Sequence, residues 1–243
     1  MYNIILAAGE GKRFKDYKLP KLLLKVKRIP LFIRAAKSLP KNNDFIFILK
    51  KKHFENFKEI KINIKKNYAK SKIILLKKTT NGQASTLFKS KNIVKKNKPI
   101  FVTSTDFCFS FNESILNQYI KNNFNIIFVC KPTNEMKKFP NQFGWVRSDT
   151  NNNVIKISCK KKIKNSKNTD NVILGAFVFC SFNIFLDGYS KMIKKKRTVN
   201  NEYYLDLLMD ELNQNKKVKI IKVKRFINWG TPLEYEKNKN KAI

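Results

Sequence analysis

The chain has 243 residues, 42% of them hydrophobic and including 20 Phe and 8 Tyr, which is enough for a buried core and excludes a disordered chain. Its 52 Lys and Arg against 17 Asp and Glu give a formal charge of +35, a balance open to phosphate-rich partners. The excess is nearly all lysine, spread along the whole chain beside abundant Asn, Ile and Phe; these share AT-rich codons, so the charge is weak evidence of a nucleic-acid partner.

In chain order, Tyr2–Ala7 is an apolar run that reads as a buried parallel strand. It opens a start, MYNIILAAGEG, that lacks the basic region of a signal peptide. No apolar run reaches the roughly 18 residues of a membrane span. A cytoplasmic protein with no membrane insertion is expected. Pro30–Leu39 has helical spacing, Phe45–Leu49 and Ile73–Leu76 read as strands, and Ala84–Val94 as a helix. Pro99–Ser104 is a strand running into Thr105 and Asp106. Ile115–Tyr119 is helical and Asn125–Cys130 a strand. The second half is richer in strands: Gly144–Arg147, Val154–Ser158 and Val172–Phe179, with a Lys/Asn/Ser loop from Lys160 to Asn171. Helices follow at Phe182–Ile193 and Asn201–Asn213, then a strand at Val218–Val223 and a helix begun by Thr231 and Pro232. Strands alternating with helices at this spacing predict a mostly parallel α/β sheet.

Cys108, Cys130, Cys159 and Cys180 form no Cys-x-x-Cys pair, which argues against a zinc site or a disulfide framework. His53, the only histidine, reads as a surface residue of KKKHFENF. Chemistry needing two histidines or a Ser-His-Asp triad has little to work with.

The loop after the first strand is more informative. Gly9 and Gly11 let backbone N–H groups approach an anion, Arg13 offers a planar fork to phosphate oxygens, and Lys21 a mobile charge. It is not a Walker loop, and Phe14 stands where a dinucleotide fingerprint needs its third glycine. Two glycines at a strand-to-helix turn are equally an ordinary structural turn.

LAAGEGKRF followed by LPKLLLKV resembles the signature of the nucleoside-diphospho-sugar pyrophosphorylases, the sugar-phosphate nucleotidyltransferases, in their short single-domain form. Asn81–Ala84, Pro99–Asp106, Gly144–Val146, Gly175–Phe177, Val199–Leu212 and Asn228–Glu236 resemble later segments of that family, in order. The resemblance implies an α/β, Rossmann-like three-layer fold with a mixed, mostly parallel central sheet. It implies one domain over residues 1–243, with a nucleotide-binding half to about 125 and an acceptor-binding half from about 126 to 235. No further domain is expected after the closing motif.

The activity implied is Mg²⁺-dependent transfer of a nucleotidyl group from an NTP to a sugar 1-phosphate or similar acceptor, with release of pyrophosphate, for surface polysaccharide or glycolipid synthesis. By the same resemblance Leu6, Ala7 and Ala8 bind the nucleotide, Gly9, Gly11 and Arg13 meet its triphosphate, Lys21 the reacting phosphates, and Gly82 and Gln83 its base. Arg13, Lys21 and Asp106 are the catalytic set. Asp106 and Asn228 hold the metal. Gly144, Lys160, Gly175 and Glu202 meet the acceptor.

There are two departures. Asn228 stands where the family has a second metal-binding Asp, and Cys159 where many relatives carry a sugar-contacting Glu. The second leaves open a cytidylyltransferase for phosphocholine or another phospho-alcohol. From another class, a non-catalytic basic protein binding nucleotide or nucleic acid remains an alternative, though no nucleic-acid module is present. In isolation Asp106 also reads as a turn or cap residue, Glu202 as a helix N-terminal charge, and Trp145 and Trp229 as core.

Overall fold

The computed structural model describes residues 1–165, 170–215, 217–241 and 243. The chain forms two compact units: Met1–Thr80 with Phe101–Ser110 and Lys224–Ile243, and Asn81–Ile100 with Phe111–Val223.

In the first unit, all six residues of Tyr2–Ala7 are buried. This strand pairs in parallel with Asp44–Lys50, which pairs in parallel with Lys72–Leu76. Ile4, Ile5, Ile46, Phe47 and Ile48 are fully buried. Parallel strands need crossovers, which here include Leu31–Ala36, Lys51–Asn56 and Lys58–Asn67. A smaller antiparallel ladder joins Phe107–Ser110 to Arg225–Asn228, with Asn228 opposite Phe107. The helix Pro232–Asn238 closes the unit, capped by Thr231 and Glu234 in a reciprocal box. Phe14, Leu24, Val26, Leu31, Cys108, Trp229 and Tyr235 pack into one buried cluster.

In the second unit, Asn171–Phe179 lies antiparallel to Asn125–Cys130 and to Gly144–Ser148. Gly144–Ser148 also pairs with Val154–Ser158, and Asn125–Cys130 pairs in parallel with Val218–Lys222. Helices Phe182–Lys194 and Leu205–Asn213 bury Phe182, Phe185, Leu205, Leu208 and Met209. The result is the α/β class read from the sequence, with a mixed, mostly parallel sheet and flanking helices. Among the described residues no helix is long and apolar enough to cross a membrane.

Two sequence expectations change. The helix expected over Ala84–Val94 is Gln83–Phe88 only. That expected from Asn201 begins at Leu205, because Val199 and Glu202 pair in a bridge first. The helices Lys51–Asn56 and Lys58–Asn67 and the Phe107–Ser110 ladder were not anticipated. Of the loop Lys160–Asn171, residues 166–169 lie outside the described residues.

Candidate active site

Tyr2–Ala7 delivers the chain into its first loop at the carboxyl end of a parallel strand, where ligands of open α/β sheets bind. Leu6, Ala7 and Ala8 are buried there. Gly11, at φ 65°, starts the short turn Lys12–Phe14 in the left-handed region that glycine tolerates best. A Cβ added at Gly9 would meet nothing within 4 Å, so the loop backbone is open to approach. Arg13 is exposed, while Phe14 is buried under the loop.

A second turn, Lys21–Leu23, buries Leu22 and Leu23 and thereby fixes Lys21. The Lys21 ammonium lies 2.5 Å from Asp106 Oδ1, 3.5 Å from the Gly230 carbonyl oxygen and 4.9 Å from the centre of the Phe14 ring. The side chain of Lys21 is 11% exposed and that of Asp106 39%, so the carboxylate keeps a wet edge. Asp106 follows the strand Ile100–Ser104 and is held from behind. Its carbonyl oxygen accepts the Trp229 N–H at 2.8 Å, and the Trp229 indole donates to the Thr105 carbonyl at 2.7 Å. Trp229 and Trp145 are both fully buried; the Trp145 indole donates to the Pro140 carbonyl at 2.9 Å. Both tryptophans are core residues that pin turns.

Asn228 is tied down on both ends of its amide. Its Nδ2 donates to Glu234 Oε1, and its Oδ1 accepts the Gly230 N–H at 3.1 Å. The other Glu234 oxygen accepts from the Thr231 N–H at 3.0 Å and the Thr231 hydroxyl at 3.1 Å. An Asp at position 228 would set a carboxylate against a carboxylate, so the capping Glu234 gives the amide a physical reason. The Thr-x-x-Glu spacing of that cap was visible in the sequence; its reach to Asn228 was not. Among the described residues no three His, Cys, Asp or Glu side chains gather as a metal cluster. Mg²⁺, however, is commonly held by one or two carboxylates together with substrate phosphates and water. Asp106, with the second lone pair of the Asn228 amide oxygen, fits that donor set.

Beside the loop, Glu10 pairs with Lys50 at the end of Asp44–Lys50. His53 corrects its reading as a surface residue. It is half-buried, its Nδ1 is enclosed without a partner among the described residues, and burial with nearby Lys50 holds its pKa below the usual range.

The remaining sequence-predicted residues belong to the second unit. A Cβ at Gly82 would sit 2.6 Å from the Tyr203 nitrogen and 2.7 Å from its carbonyl oxygen. The Ala84 N–H donates to Tyr203 O at 3.0 Å and the Tyr203 N–H to Asn81 O at 2.9 Å. Gly82 is therefore required by backbone packing, and half-buried Gln83 opens the helix beside it. Gly144 has a comparable reason: a Cβ there would lie 1.9 Å from Asp206 Oδ2 and 2.9 Å from Asp206 Cγ. Asp206 is 7% exposed, and burial pushes its carboxyl pKa up to about 6, with the Lys160 charge opposing. The sequence reading passed over Asp206, which looks there like an ordinary acid in the first turn of a helix. Cys159 lies within electrostatic reach of Asp206, and burial raises its thiol pKa first of all. Lys160 donates to the Gln142 carbonyl at 2.6 Å and lies 5.3 Å from the centre of the Tyr204 ring. Glu202 is exposed, ahead of the helix, and its carboxylate bonds the Tyr204 phenol. Gly175, at φ 83°, sits where the register of Asn171–Phe179 against Asn125–Cys130 shifts.

Thus Lys21, Asp106 and the Asn228 segment come together in one unit, and Gly144, Lys160 and Glu202 gather around Asp206 and Tyr204 in the other. The sequence matches the nucleotidyl transferase family model over residues 2–221. No curated protein matches. Among solved structures, a nucleoside-diphosphate-sugar pyrophosphorylase from Vibrio cholerae RC9 superimposes with a TM-score of 0.78 at 19% identity, covering 98% of both chains. The inositol-1-phosphate CTP transferase from T. maritima gives 0.69 at 18%, covering 96% of this chain and 90% of that one. A UDP-glucose pyrophosphorylase complexed with UDP-glucose gives 0.74 at 16%, covering 98% and 96%.

Proposed function

Since the chain belongs to the nucleotidyl transferase family, we propose that it moves a nucleotidyl group from a nucleoside triphosphate to a phosphorylated sugar or sugar-like alcohol. A phosphate oxygen of the acceptor attacks the α-phosphorus, the bond to the β-phosphate oxygen breaks, and pyrophosphate leaves. Such a reaction asks the protein for positioning and charge stabilisation rather than covalent chemistry.

The observation that carries the reading is the Lys21–Asp106 contact, formed at the carboxyl end of a strand in the unit that holds the glycine loop. Backbone N–H groups at Gly9 and Gly11, with Arg13, take the triphosphate. Lys21 is steered by Asp106, the Gly230 carbonyl and the Phe14 ring toward the reacting phosphates. Asp106 and the Asn228 amide oxygen are the candidates to hold Mg²⁺, which when bound offsets charge on the phosphate oxygens. In the second unit, Gln83 lies beside the base, and Lys160 and Glu202 serve the acceptor. The relatives' names support a sugar or cyclitol phosphate as acceptor. The product would supply surface polysaccharide or glycolipid synthesis in the cytoplasm.

The test is pyrophosphate release with Mg²⁺, scanning CTP, UTP, GTP, ATP and dTTP against sugar 1-phosphates, inositol 1-phosphate and phosphocholine. Release from one pair, abolished by Asp106→Ala, is the expected result. No release from any pair, with DNA binding that falls steeply with salt, would replace this reading with that of a basic nucleic-acid binder.

A further inference from the structure

The reaction above leaves three buried carboxylates unused: Asp170 pairs with Arg147, Glu211 with Lys195 and Arg197, and Asp206 has no such ion pair among the described residues. Asp206 sits in the first turn of Leu205–Asn213 and is 7% exposed. A carboxylate offers about four acceptor positions. Among the described residues its own backbone N–H is the one donor that reaches it. One backbone donor leaves acceptor positions of this carboxylate for a ligand to fill.

The surroundings point to a ligand. One carboxylate oxygen rests where a Cβ of Gly144 would be, so the glycine strand gives way to it. Lys160 is close enough to lower the Asp206 pKa, and Cys159 and Tyr204 lie within the same electrostatic reach. Lys160 holds a left-handed backbone, at φ 53°, where a lysine is uncommon. A cation, a phenol and a carboxylate thus lie near one another beside the strand that opens at Gly144.

The geometry points to Asp206 as the residue that recognises hydroxyl groups of a sugar or cyclitol phosphate, with Lys160 facing the phosphate. This rests on the nucleotidyl-transfer reading and narrows its acceptor. The side chain at 159 is a thiol, and the carboxylate is supplied from the neighbouring helix instead. A quaternary ammonium is disfavoured here. Such a group needs open aromatic faces, and the Tyr204 ring already carries the Lys160 ammonium at 5.3 Å.

The experiment is calorimetric titration of the full chain and of Asp206→Asn with glucose 1-phosphate, inositol 1-phosphate, phosphocholine and each NTP. Pyrophosphate release is measured in parallel. The wild type is expected to bind a hydroxyl-bearing phosphate. Asp206→Asn should weaken that binding at least tenfold and leave NTP binding within twofold. Gly144→Ala, which displaces the carboxylate without removing it, should weaken the same ligand and guards against misfolding of the first variant. Binding of every phosphate unchanged in both variants would overturn the inference, as would a wild type that binds only phosphocholine or no acceptor at all. If no pair releases pyrophosphate yet sugar-phosphate affinity falls in Asp206→Asn, the reaction fails and this inference stands. If release occurs with an acceptor whose KM the variant does not move, the reaction stands and this inference falls.

Discussion

Gly144→Ala should be destabilising because of one side chain. The new Cβ would lie 1.9 Å from Asp206 Oδ2, 2.9 Å from Asp206 Cγ and 3.2 Å from Ile173 Cδ1. The carboxylate must retreat by well over an ångström, and Asp206 is 7% exposed, with little room for it to do so. Forcing extra carbon into a packed site costs about 1–3 kcal/mol. Gly144 lies in an ordinary strand, so alanine itself recovers roughly 0.5–1 kcal/mol of chain entropy. The net loss is up to about 2.5 kcal/mol, or a fall in Tm of up to about 10 °C for a chain of this size. Thermal and urea unfolding of Gly144→Ala, Asp206→Ala and the double variant form a cycle. With Asp206 truncated, the clash with the carboxylate disappears and only the 3.2 Å approach to the flexible end of Ile173 remains, so Gly144→Ala should become close to neutral, a coupling of about 1 kcal/mol or more. Equal destabilisation in both backgrounds would refute the claim that the glycine exists to seat this carboxylate.

Asp206 should also mark the pH dependence of stability. Its folded pKa, about 6, lies above the usual aspartate value, so the fold favours the protonated form. That contribution is full below about pH 3.8 and is lost as pH rises through about 6; the shift corresponds to about 3 kcal/mol. Unfolding at pH 4 and pH 7 should show that loss in the wild type but not in Asp206→Asn. Lys21→Ala and Asp106→Asn should each lower kcat by about 10²-fold or more. Both should change stability by less than about 1 kcal/mol, since the pair is partly exposed; steady-state rates and melting curves separate the two effects. Asn228→Asp should destabilise at neutral pH, where two carboxylates would meet. The loss should shrink toward pH 4 and be relieved by Glu234→Gln in melting experiments.

The central strands could be read from sequence because each is buried on both faces and so appears as an apolar run, as in Tyr2–Ala7 and Asp44–Lys50. The helix Lys58–Asn67 could not, because only Ile60 and Ile64 are buried among its lysines. Ala84–Val94 read too long because Val94 and Ser90 are buried in turns after the helix ends at Phe88. In the candidate site, Gly11, Lys21 and Asp106 were legible through their pattern. The partners that position them were not. Glu234 beneath Asn228, Tyr203 against Gly82 and Asp206 against Gly144 are contacts between residues distant in sequence, and no local pattern encodes them.

The seating of Asp106 by Trp229 sets a schedule for synthesis. The indole that bonds the Thr105 carbonyl lies 124 residues later in the chain. At about 5–20 residues per second, a ribosome needs about 6–25 s to cover that gap. Throughout that interval Phe107–Ser110 lacks its ladder partner, Arg225–Asn228, and before it ends the last residue of the second unit, Val223, has been made. The carboxylate assigned to the reaction thus acquires its backing only after the acceptor-side residues have been synthesised. A nascent chain stalled before Lys224 can hold a complete second unit and still lack a seated Asp106.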